Sequence, residues 1–167
     1  SLRDNRFVCC LASRQTGKTT MMTIYALWIA CFQDDQRILI VANKEQTAIS
    51  IFSRVRLAYE NLPRWLQQGV INWNKGSIEL ENKSQIIAAA TSSSAIRGGT
   101  YNIIFLDEFA FVPANIAEMF FSSVYPTITS GKTSKVVIVS TPHGMNQFYK
   151  LWMDSESGKN DYIPIEV

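Results

Sequence analysis

The sequence predicts an α/β domain: a mainly parallel β-sheet with helices packed on its faces. Three observations carry that expectation. Apolar runs of five or six residues alternate along the chain with segments whose apolar residues recur every three or four positions. The runs RILIVA (37–42) and VVIVS (136–140) are apolar on both faces apart from the terminal Arg37 and Ser140, as strands covered on both faces tend to be. The first run leads directly into a polar turn holding a glycine, which in turn opens a helical pattern.

The elements follow in order. Phe7 to Leu11 is the first strand, and Gly17 to Phe32 a helix, with Met21, Ile24, Leu27, Trp28 and Cys31 at helical spacing. After the strand Arg37 to Ala42, a helix runs from about Gln46 to Leu62, where Pro63 stops it because its ring blocks the preceding turn. The stretch 70–91 changes character. Ser77 to Glu81 alternates, Asn82-Lys83 has turn chemistry and Gln85 to Ala90 is largely apolar, so a β-hairpin insertion is expected there. The polar loop Ser92 to Tyr101 carries Arg97-Gly98-Gly99. Then come the strand Asn102 to Leu106, a helix from about Ala114 to Val124, the strand Lys135 to Ser140, and a helix from about Met145 to Met153. Polar residues fill Asp154 to Asp161, and Ile163 to Val167 begins a further strand. No repeat or low-complexity linker divides the 167 residues, so 1–167 reads as one domain.

Composition narrows the class. With 47% hydrophobic and 18% charged residues the chain is globular, not disordered. A net charge of +2 is too small to argue for nucleic-acid binding by itself, although basic residues gathered on one face would escape such a count. Cys9, Cys10 and Cys31 lack the spacing of a zinc site or a disulfide framework and read as small buried hydrophobes of a reducing compartment. No apolar run reaches the ~18 residues of a membrane span, and the first residues do not have the layout of a signal peptide. A cytoplasmic protein is the expectation.

Two motifs carry chemistry. Ala12-Ser13-Arg14-Gln15-Thr16-Gly17-Lys18-Thr19 matches the phosphate-loop pattern G-x-x-x-x-G-K-S/T except that Ala12 replaces the first glycine. Backbone N–H groups from Gln15 to Thr19, at a helix N-terminus, suit a triphosphate. Ser13 to Thr20 are therefore the candidate nucleotide-binding residues: Lys18 reaches the β- and γ-phosphates, and the Thr19 hydroxyl holds Mg²⁺. Arg14 is either a cis-acting arginine finger on the transferred phosphoryl group or a solvated arginine touching another phosphate. The second motif, NIIFLDEF (102–109), is an apolar strand ending in two carboxylates. Asp107 is suited to Mg²⁺, and Glu108, directed away from it by strand alternation, to polarising the attacking water. Asp107 follows Lys18 by 89 positions, which leaves room for an extra strand between the two motif strands. The class implied is a P-loop NTPase of the RecA/ASCE-like kind, with ATP and Mg²⁺ as cofactors. A helicase-like remodeller and a degenerate, non-catalytic P-loop module share parts of this pattern.

A third strand ends in Ser140-Thr141-Pro142, where either Thr141 senses the γ-phosphate or the residues form a simple strand-to-turn junction set by Pro142. SRQTGKTT (13–20), IIFLDEFAF (103–111) and VSTPHG (139–144), in this order, resemble the Walker A, Walker B and coupling motifs of tailed-phage large terminases of the T-even-like type. Ala95-Ile96-Arg97-Gly98 is similar to that family as well. The resemblance implies a motor core that hydrolyses ATP to drive double-stranded DNA into a procapsid. It implies Lys18, Glu108 and Arg14 as catalytic residues, Thr19 and Asp107 on metal, and Ser140 and Thr141 as the coupling pair. Implied partners are double-stranded DNA, a portal protein, a small terminase subunit and further copies in a ring, with no membrane. The implied location is the cytoplasm of the infected bacterial host. Arg97 is a lesser candidate, either for contact with DNA or a neighbouring subunit or for stabilising its loop, and His143 reads as structural. The family also has an upstream adenine-binding segment and a C-terminal nuclease domain, so the chain is expected to be a fragment holding the ATPase core.

Overall fold

The computed structural model describes residues 4–92, 96, 99–126 and 134–167. Arg97 and Gly98 lie outside them, as does Ala95. Among the described residues, eight strands form one sheet: β1 (Phe7–Leu11), β2 (Arg37–Ala42), β3 (Val70–Trp73), β4 (Ser77–Leu80), β5 (Gln85–Ala90), β6 (Ile103–Asp107), β7 (Lys135–Ser140) and β8 (Ile163–Glu166). Their order across the sheet is β3-β4-β5-β2-β6-β7-β1-β8. The six strands from β5 to β8 in that order all run parallel. β7 thus separates β1, which feeds the phosphate loop, from β6, which ends in the acidic pair.

The α-helices among the described residues include α1 (Lys18–Phe32), α2 (Glu45–Glu60), α3 (Ala114–Met119) and α4 (Gln147–Glu156). Because strand side chains alternate, each central strand supplies both layers of core. Val8, Ile38, Ile40, Phe105 and Val137 face Met22, Ala26, Ile29, Ile51 and Phe52 of α1 and α2. Cys9, Leu39, Ile104, Leu106 and Ile138 face Phe109, Phe120, Phe148 and Trp152 on the other side. Each large side chain so buried stabilises the fold by roughly 1.5–3 kcal/mol. Burial also pushes the Cys9 thiol up to about 12, with Cys10 beside it a smaller cause, so Cys9 serves as core.

Four elements differ from expectation in instructive ways. Segment 70–91 does contain a hairpin, β4 turning into β5 through Asn82-Lys83. It is not an insertion beside the sheet, however: β5 pairs in parallel with β2 over six residues, and β3 and β4 extend the same sheet antiparallel. The apolar β5 fits there because α2 packs over it. In α1, Leu27 and Cys31 are buried as their spacing suggests, but Met21, Ile24 and Trp28 are exposed. That helix is apolar around most of its circumference, so spacing alone cannot select the buried face. The helix from Ala114 is α-helical only to Met119 and continues as a π-helical turn over Phe120–Val124. The last helix begins at Gln147, not Met145, because the Asn146 side chain caps it.

Candidate active site

The parallel strands end together on one edge, and the site is built from the turns that leave β1, β6 and β7. Ala12 continues β1, donating its N–H to the Ser140 carbonyl at 3.0 Å, and needs no positive φ. An alanine therefore serves where the pattern has glycine. Gln15 (φ 63°) and Gly17 (φ 78°) are both left-handed. Such alternation gathers successive N–H groups into an anion-binding concavity. A side chain at Gly17 would meet nothing within 4 Å, so it is the conformation that requires glycine there. The first N–H bonded within α1 is that of Met21, to Gly17, so those of Lys18, Thr19 and Thr20 remain available at the helix N-terminus. No side chain caps that end, and no acidic residue lies in its first turn.

The loop is closed on itself by the Ser13 carbonyl, which accepts the Thr16 hydroxyl at 3.0 Å and the Lys18 ammonium at 3.4 Å. Ser13, Arg14, Gln15 and Thr16 are exposed on its outside, as is Thr20 at the start of α1. Arg14 has no hydrogen-bond or ion-pair partner among the described residues, so its guanidinium is free to meet a ligand.

The acidic pair divides its partners. Asp107, only 3% exposed, accepts the Thr19 hydroxyl on Oδ2 at 3.1 Å, while its buried Oδ1 has no partner among the described residues. Burial, above all, raises its carboxyl above the usual carboxylate range, with Thr19 opposing and Glu108 adding to the effect. A bare, buried carboxylate oxygen beside a hydroxyl at a helix N-terminus fits a hard divalent cation, which removes the cost of leaving that oxygen unmet. Glu108 points elsewhere. Its Oε1 lies 2.9 Å from Lys18 Nζ, and its Oε2 accepts the Thr141 hydroxyl at 3.0 Å. The direction comes not from strand alternation, as the sequence suggested, but from a left-handed backbone at Glu108 (φ 53°, ψ 43°) just past the end of β6. That conformation costs a non-glycine residue about 1–2 kcal/mol and must be imposed by its surroundings.

Those surroundings are the turn after β7. Buried Ser140 accepts the Ala110 N–H on its hydroxyl at 3.0 Å and donates the hydroxyl proton to the Thr141 carbonyl at 3.0 Å. The Thr141 hydroxyl holds Glu108. His143 stacks on Phe111 with ring centroids 4.4 Å apart. Asn146, not singled out from the sequence, donates to the Ala110 and His143 carbonyls, both at 2.7 Å. An N-cap asparagine before an apolar helical pattern was the available signal, but its partner Ala110 lies 36 residues away.

A phosphate-loop turn at a helix N-terminus, a carboxylate with a bare oxygen and a second carboxylate on the loop lysine define the fold as that of a P-loop domain of the RecA-like class, with an added strand between the motif strands. Residues 9–166 match the family described as terminase large subunit, T4likevirus-type, N-terminal, and the chain belongs to that family. It is similar to the large terminase ATPase domain of Thermus phage P74-26, with a TM-score of 0.80 and 20% identity over 98% of this chain and 76% of that one. The large terminase of bacteriophage HK97 gives a TM-score of 0.79 at 17% identity, covering 96% of this chain and 35% of that one. A large terminase of a thermophilic bacteriophage, in complex with ATP-gamma-S, gives 0.70 at 18% identity, covering 99% and 40%. The chain therefore spans less than half the length of these two large terminases.

Proposed function

We propose that this chain is the ATP-hydrolysing motor core of a packaging enzyme that drives double-stranded DNA into a viral procapsid. The observation that carries the reading is the position of Glu108 between Lys18 and Thr141, the phosphate-loop lysine on one side and the coupling turn on the other. The family match supports the packaging role, and the ATP-gamma-S complex of a similar large terminase supports the nucleotide.

In this reading the N–H groups of Gln15 to Thr20 bind the phosphates and Lys18 neutralises them. Thr19 and Asp107 would hold Mg²⁺, which when bound would offset the negative charge that develops on the phosphate. Arriving phosphates compete with Glu108 for Lys18. Glu108, relieved of its ion pair, accepts the proton of the attacking water as general base. Arg14 places its charge on the transferred phosphoryl group from within the same chain, adding to transition-state stabilisation. Because Glu108 is tied to Thr141, a change in its partners reaches the turn after β7 and α4 beyond it. Ser140 and Thr141 thereby act as the coupling pair. Portal protein, small terminase subunit and other copies of the chain in a ring are the partners of this role, in the cytoplasm of the infected host.

The test is packaging by the full-length protein on portal-bearing procapsids. Protection of DNA from nuclease should require ATP and be lost in Lys18→Ala. Packaging that persists in that variant overturns the reading.

A further inference from the structure

The strained backbone of Glu108 needs a device to hold it, and the side chains around Ala110 supply one. Ala110 lies two residues beyond Glu108 and is secured at both of its peptide groups. Its N–H goes to the Ser140 hydroxyl and its carbonyl to the Asn146 carboxamide. Asn146 makes a second donation to the His143 carbonyl, and its Oδ1 accepts the Tyr149 N–H at 3.1 Å as the cap of α4. One side chain thus joins three segments: the turn that carries the general base, the turn that carries Thr141, and the first turn of α4. Few residues offer this chemistry. Serine and aspartate cap a helix as well as asparagine does, but aspartate has no proton for two carbonyls and serine lacks the reach and the second donor.

We propose that Asn146 is a positioning residue for ATP hydrolysis, fixing the turn 108–111 so that Glu108 stays directed at the phosphate loop, and linking its state to α4. This rests on the ATPase reading above. Asn146 touches no nucleotide-binding residue of the phosphate loop, so its loss should leave nucleotide affinity intact and act on turnover.

The capping role and the positioning role separate by substitution. In the full-length protein, Asn146→Ser keeps an oxygen to cap α4 but gives up the bonds to Ala110 and His143, while Asn146→Ala gives up all three. We expect Asn146→Ser to melt close to the parent and bind ATP-gamma-S with unchanged Kd, yet to lose kcat by roughly ten- to a hundredfold, the scale at which a small misplacement of a catalytic group is felt. Asn146→Ala should lose kcat to the same extent and melt lower as well. Parental kcat in Asn146→Ser overturns the proposal, as does a kcat loss that appears only in the variant with the lowered melting temperature. Glu108→Gln is measured alongside. An active parent, an inactive Glu108→Gln and a parental Asn146→Ser would reject the role of Asn146 alone. A parent without turnover would remove the ATPase reading, and the proposal with it.

Discussion

Two half-buried asparagines, at opposite edges of the same sheet, do the same chemistry to different ends. Asn82, in the turn between β4 and β5, donates to the Ala30 and Gln33 carbonyls at the end of α1 and accepts the Ser84 N–H. Ser84 adds a bond to Gln33 and accepts the Gln36 N–H, so the last carbonyls of α1 and the entry to β2 are secured together. Asn146 likewise spends its carboxamide on two carbonyls and an N–H. The difference lies in the neighbours. Around Asn82 the polar groups close on one another, and the region is finished. Around Asn146 the chain of bonds leads through Ala110 to a strained glutamate, beside an aspartate with a bare oxygen and a turn of N–H groups without acceptors. Polar groups that close on one another mark scaffold. Those left open mark the place where a ligand completes the structure.

Substitutions can break or sharpen that contrast. Outside the acidic pair, the largest effect should come from Lys18→Ala, which removes the charge facing Glu108 and, in the proposed reading, the phosphates. A loss of about a hundredfold or more in kcat is expected in steady-state ATPase assays. Asn146→Ser follows, with its smaller loss of turnover at constant nucleotide affinity.

Asp107→Asn separates metal from fold. In the parent, Mg²⁺ with nucleotide at a hundred times Kd should add ~2.7 kcal/mol of stability, and the variant should lose most of this in thermal melts. Without metal the variant should be no less stable than the parent, since a buried charge has been replaced by a neutral amide. The sign with pH follows from the raised carboxyl of Asp107. Its contribution to metal-free stability is fully present below the ordinary carboxylate range and is lost as pH rises through the raised value. Urea unfolding between about pH 4 and 7 should show that slope in the parent and a shallower one in Asp107→Asn.

Asn82→Ala is the counterpart of the Asn146 series. It strands the Ala30 carbonyl at the end of α1, leaves the Gln33 carbonyl to Ser84 alone, and should cost about 1–3 kcal/mol of stability, with kcat per folded molecule unchanged. A loss of turnover in Asn82→Ala would erase the distinction between the two edges. The smallest effect is expected from Glu60→Gln. It breaks the exposed 2.9 Å pair with Arg56 one helical turn away and should cost no more than about 0.5 kcal/mol in urea titration.

The sequence made the central strands and the two motifs legible because their chemistry is local. A strand covered on both faces must be apolar, and a phosphate loop must place glycine, lysine and a hydroxyl in consecutive positions. Three features depended on distant pairing and were not legible. The membership of β5 in the parallel sheet is decided by β2, more than forty residues earlier. The buried face of α1 is selected by packing, because almost every face was apolar enough. The direction of Glu108 is set by a single left-handed residue, held through Ser140 and Asn146 from across the site. Strand alternation would have turned it away from Asp107 for the wrong reason. The role of Arg97, named from the sequence, lies outside the described residues.

In the proposed reading Glu108, held between Lys18 and Thr141, is the base for ATP hydrolysis. The most direct test of that role is ATP turnover and nucleotide binding measured side by side, with Mg²⁺, in the parent and in Glu108→Gln. Turnover should fall by about 10²–10⁴-fold in the variant, with nucleotide affinity equal to or tighter than the parent's, since Lys18 is released for the phosphates. Turnover in Glu108→Gln within a few-fold of the parent's would contradict the account.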